Sequence, residues 1–94
     1  MQNMPSIELL EERHSFPGPY IFKVIGGVED GFVGRAVVAV REALGAESDP
    51  KFELRQTRSG RHVSITLEPE VESAEQVLEV YQSLSGLDGV VLVM

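Results

Sequence analysis

Four cations crowd one short segment of this 94-residue chain. Lys51, Arg55, Arg58 and Arg61 are half of its eight basic residues, and Glu53 is the only acid among them. Four cations against one acid give residues 51–61 a charge of +3, and the total of −7 leaves −10 for the rest. His62 follows directly, and Lys23 is the one charge inside an earlier apolar run. Guanidinium forks match carboxylates and phosphates, and a local positive field on an acidic protein concentrates anions. Lys23, Arg55, Arg58, Arg61 and His62 are therefore the candidate binding residues, for a small anionic ligand or an acidic protein partner. A hairpin charged only for solubility has the same composition.

Other chemistries lack their residues. The chain has no cysteine, which removes disulfides, thiolate metal sites and cysteine nucleophiles. His14 and His62 are its only histidines, and neither has a partner at metal-ligand spacing. No Ser-His-Asp set can be placed. Glu68, Glu70, Glu72 and Glu75 form an acidic run, but Glu72 and Glu75 suit a helix N-terminus and the others a solvated turn. No catalytic residue, metal or cofactor is expected, so the chain reads as a non-enzyme. Its acidity disfavours nucleic acid. No apolar run approaches 18 residues and the N-terminus is acidic, so neither a membrane span nor a signal peptide is expected, and the default location is cytoplasmic.

The elements that position the cations follow from periodicity. Residues 7–13 predict a short helix, which "SFPGP" breaks. "YIFKVI", residues 20–25, is aromatic and β-branched and predicts a strand that Gly26 and Gly27 stop. From about Asp30 to Leu44, Phe32, Val33, Ala36, Val37, Val40 and Leu44 recur at helical spacing, with Gly45 at the exit. "KFELRQ" and "HVSITLE" alternate and are joined through Ser59-Gly60. That hairpin sets Phe52, Leu54 and Gln56 opposite Leu67, Ile65 and Val63, and Lys51, Glu53 and Arg55 opposite Glu68, Thr66 and Ser64. Ser73 with Gln76 signals a capping box for a helix through Ser85, and residues 89–94 predict a last strand.

Strand, helix, strand, strand, helix, strand is the order of a ferredoxin-like α+β sandwich. The expectation is one domain over residues 1–94, with a leader over 1–19. Its four-stranded antiparallel sheet has order 4-1-3-2, and two helices lie on one face. The helix-free side of the third strand carries His62, Ser64, Thr66 and Glu68, without the aromatics of an RNA platform. Ile21, Ile25 and part of the last strand leave apolar side chains there. Either protomers associate through the sheet face or edge, giving a homo-oligomer, or the leader folds over this face with Leu9, Leu10 and Phe16.

The glycine pair raises a further alternative. "GGVEDGFVGR" faintly resembles the phosphate loop of acylphosphatases, which share this fold and place an arginine after a glycine-rich turn. Here the spacing is one residue longer, Glu29 and Asp30 occupy the loop, and the only asparagine is Asn3 rather than one on the central hairpin. The glycines are therefore read as a turn into the helix. A small acylphosphatase-like hydrolase and a purely structural adaptor stand as the alternative functions.

The segments "FPGPYIFKVIG" and "SGRHVSITL", with the closing "VVLVM", resemble the YbeD-like family of small uncharacterised bacterial proteins. The similarity runs from about Leu9 to Met94. That family resembles ACT-type regulatory domains in fold, so the resemblance implies a regulatory or partner-binding role and supplies no catalytic residues.

Overall fold

The computed structural model describes residues 4–94, so Asn3 and the start of the leader lie outside the described residues. Ser6 opens the first element: its side chain accepts a hydrogen bond from the Leu9 amide at 3.1 Å and caps α1, Ile7–Arg13. The chain then forms β1 (Gly18–Pro19), β2 (Phe22–Gly27), α2 (Phe32–Leu44), β3 (Lys51–Gln56), β4 (His62–Glu68), β5 (Glu70–Val71), α3 (Ala74–Ser85) and β6 (Val90–Val93). The fold is α+β, with antiparallel pairing throughout. The four main strands lie in the order β3-β4-β2-β6, and β1 pairs with β5 as a separate two-stranded ribbon.

Alternation decides which side of the sheet is covered. Phe22, Val24, Val63, Ile65 and Leu67 are buried, as are Phe32, Ala36, Val37 and Val40 of α2 and Val77, Val80 and Leu84 of α3, all in one core. Each of these side chains except that of Ala36 contributes roughly 1.5–3 kcal/mol on burial. The hairpin has the register expected from its pattern, Lys51 opposite Glu68 through Gln56 opposite Val63. The serine cap of α3 forms as well: Ser73 Oγ accepts from the Gln76 amide at 3.3 Å, and Gln76 Oε1 accepts from the Glu72 amide at 2.8 Å.

The reading of the glycine pair is corrected. Gly26 and Gly27 do not stop the first strand; they are its last two residues, opposite Val63 and His62. A Cβ on Gly26 would overlap the ring of Phe32, the first residue of α2, so this glycine provides space for a buried aromatic. The turn into α2 is made by residues 28–31, where Asp30 and Gly31 are left-handed at φ 60° and 67°, so α2 begins two residues later than its periodicity predicts. The leader does not take the place on the helix-free face that was one of the two coverings expected for it. α1 packs on α3 and puts Leu10 into the core, so the leader lies with the helices and does not cover the other face.

An aromatic row holds the leader in place. The His14 ring lies tilted against Tyr20 at 4.8 Å between centroids, and Tyr20 lies 4.8 Å from Phe22. Tyr81 of α3 meets Phe22 edge-on at 5.0 Å. The Tyr20 and Tyr81 hydroxyls are 3.2 Å apart. Burial, helped by the Tyr20 hydroxyl, pushes the Tyr81 phenol well above its ordinary 10.0.

Two measurements check this packing. Gly26→Ala forces the Phe32 ring to move and is expected to destabilise the fold by about 1–3 kcal/mol in denaturant unfolding. Phe32→Leu in the same chain should recover part of that loss; an unchanged midpoint for Gly26→Ala would contradict the seating. The raised Tyr81 pKa favours the neutral phenol in the folded state. Its stabilisation is therefore complete below about pH 10 and is lost as pH climbs above it. Tyr81→Phe should flatten this alkaline fall in unfolding free energy.

Candidate functional site

On the helix-free face the strands form a lattice whose rows are read from the registers. One row runs Glu53, Thr66, Lys23, with Met94 beside Lys23 through paired backbone hydrogen bonds. The next runs Arg55, Ser64, Ile25, Leu92. The face therefore divides. Its β2–β6 half is mainly apolar, with Ile21 55% exposed beside it, while its β3–β4 half carries hydroxyls and charges.

At the boundary, Lys23, Glu53, Leu54, Arg55, Ser64 and Thr66 line an open depression of about 410 Å³. The β ladders explain why the side chains of Lys23, Glu53, Arg55, Ser64 and Thr66 meet, while Leu54 between two of them points to the other face: positions two apart on a strand share a face, and neighbouring strands are only about 4.8 Å apart. Lys23 and Arg55 bring two cations to one hollow, separated by the short hydroxyl residues of β4. Among the described residues neither takes part in a salt bridge, whereas Arg41 is bound to Asp49 at 2.8 Å. A carboxylate or phosphate could take charge-assisted hydrogen bonds from Lys23 and Arg55 and neutral ones from Ser64 and Thr66. Glu53 lies in the same hollow and opposes an anion.

The other sequence candidates sit elsewhere. His62 shares the face but is opposite Gly27 at the far end of β4. Arg58 and Arg61 belong to the hairpin turn, which Gly60 closes at φ 75° with its amide donating to the Thr57 carbonyl at 2.9 Å. Arg61 lines a smaller hollow of about 150 Å³ with Glu29, Asp30, Arg35 and Asp88. Of the five candidates only Lys23 and Arg55 share a hollow; His62, Arg58 and Arg61 lie apart from them. The site reading from sequence lacked Ser64 and Thr66 as hydroxyl donors between the cations; the hairpin register, which places Ser64 opposite Arg55, was the signal that pointed to them.

The loop that resembles a phosphate cradle has a different occupation. Arg35 Nε donates to the Asp30 carbonyl and its Nη1 to the Asp88 carbonyl, each at 3.0 Å, while the guanidinium lies 5.6 Å above the Phe32 ring. The arginine binds two loops together. Among the described residues no group of three or more His, Cys, Asp or Glu could hold a metal ion, and no helix is long and apolar enough to cross a membrane.

Comparison with known proteins agrees with this architecture. The solution structure of protein HP0495 from H. pylori covers 100% of this chain and 98% of its own at a TM-score of 0.65 and 19% identity, a likeness of fold. A UPF0250 protein of Shewanella piezotolerans is 35% identical over 80 residues, 85% of this chain and 89% of that protein. Another, from Pasteurella multocida, is 29% identical over 97% of this chain and 100% of its own. A family model described as a protein of unknown function, DUF493, matches residues 11–94. The chain belongs to this family, the UPF0250 or YbeD-like group of small bacterial proteins of unknown function.

Proposed function

We propose that the chain is a non-catalytic regulatory module of ferredoxin-like topology, acting in the cytoplasm. Its helix-free face takes a small anionic ligand, and it associates with further copies through its sheet. The observation that carries this reading is the convergence of Lys23 and Arg55 on one open hollow with Ser64 and Thr66 between them. The concentration of positive charge in residues 51–61 of an acidic chain supports it, because it draws anions to this end of the sheet. Arg58, Arg61 and His62 extend the same field beyond the hollow, which also suits a second reading, the docking of an acidic protein surface. For a structural adaptor without ligand, the hollow would be solvated surface only.

The acylphosphatase-like alternative has less support. Two of the Arg35 donors are engaged by the Asp30 and Asp88 carbonyls, and the loop before it carries Glu29 and Asp30, which repel a phosphate.

Titration of the labelled protein with inorganic phosphate and with succinate tests the ligand face. Amide shifts are expected at Lys23, Ser64 and Thr66, with the dissociation constant rising about three- to tenfold in Lys23→Ala and in Arg55→Ser. Unchanged binding in both variants would remove the site. Hydrolysis of acetyl phosphate is expected to stay at the uncatalysed rate; turnover that disappears in Arg35→Ala would instead establish the hydrolase.

A further inference from the structure

The sheet has two edges, and they differ. β6 has only four residues, and its pairing shifts register opposite Ile25 and Gly26, an irregularity that twists an edge away from added strands. β3 runs six residues in unbroken register with no proline inside it, and every residue is exposed. Phe52 and Leu54 point to the helix side, where their cross-strand partners Leu67 and Ile65 are fully buried, yet they remain 39% and 53% exposed. The core ends before it reaches this strand.

The free backbone groups can be assigned. The Thr57 amide donates to the His62 carbonyl at 3.0 Å, making residues 57 and 62 a hydrogen-bonded pair. Such pairs alternate along an antiparallel ladder, so Lys51, Glu53 and Arg55 direct their backbone groups at β4. The amides and carbonyls of Phe52, Leu54 and Gln56 therefore face outward.

We propose that a second copy of this chain adds to the free edge of β3, antiparallel and centred on Leu54, joining two four-stranded sheets into one of eight. This specifies the self-association in the proposed function and rests on that reading. A two-fold axis normal to the sheet keeps both sets of helices on one side and pairs the outward residues with each other. Few registers satisfy it. Centring on Glu53 or Arg55 sets a like charge against itself at the axis. Centring on Phe52 shortens the overlap and asks an amide of Pro50, which has none. Centring on Leu54 sets Glu53 against Arg55 of the other copy twice, Leu54 on Leu54, and Phe52 on Gln56. Opposite charges therefore meet on both sides of the axis.

Sedimentation of the wild-type chain in phosphate-free buffer should show a monomer–dimer equilibrium. Glu53→Arg and Arg55→Glu should each weaken it roughly tenfold or more, since each turns two attractive cross-strand pairs into repulsive ones. The double variant should associate like the wild type, and a mixture of the two single variants should form a heterodimer. The chain has no cysteine, so Leu54→Cys gives a clean probe. Residues at the centre of a hydrogen-bonded pair have Cα atoms about 5.5 Å apart, within disulfide reach. Leu54→Cys should therefore cross-link under mild oxidation, and Phe52→Cys should not. A chain that is monomeric at every concentration, or a dimer indifferent to the charge reversals, overturns the proposal. A monomer that still binds phosphate defeats the edge pairing alone; a dimer that binds none defeats the ligand face alone.

Discussion

The contact between Phe32 and Gly26 sets the geometry on which the rest of the molecule depends. An aromatic side chain at the first position of α2 fills the space where a strand residue would otherwise carry its Cβ, and a Cβ added on Gly89 would lie 3.7 Å from the same ring. This fixes where the helix begins relative to the sheet, and the left-handed turn at residues 30–31 follows from the short distance the chain has left to cover. Arg35, one turn along, then reaches the Asp30 and Asp88 carbonyls and brings the loop before β6 to the same point. One close approach thus coordinates a strand, a helix and the entry to the last strand. Because protein interiors are close-packed, such a contact admits little adjustment.

With that end fixed, the chain becomes strongly two-sided. All three helices and the aromatic row lie with the core, and the leader completes this side through Leu10. The opposite face keeps charged residues, hydroxyls and a strip of aliphatic side chains in contact with water. The covered side, by contrast, holds no buried polar or charged residue among those described.

Much of this was legible in sequence wherever the controlling interaction is local. The hairpin register could be read because apolar and charged residues alternate in both strands, and only an even alignment satisfies both faces. The serine cap of α3 and the glycine exit of α2 are signals contained within a few residues. The glycine pair misled for the opposite reason. Its turn propensity is a local property, whereas its role depends on Phe32, six residues beyond Gly26 and across the core. The ribbon of β1 and β5 has two residues on each side, too few for any periodicity to show. The leader carried apolar residues that required a surface, but nothing in their spacing said which. The candidate cations were visible as a charge cluster, yet only the register separates Lys23 and Arg55, which share a hollow, from Arg61, which lines another.

The aromatic row has an optical consequence. The protein has no tryptophan and two tyrosines, and those two touch each other where the leader meets α3. Its near-ultraviolet dichroism and intrinsic fluorescence therefore originate almost wholly from the junction between the leader and the domain. Loosening of that junction alone would change the spectrum of the whole chain while the sheet remained intact.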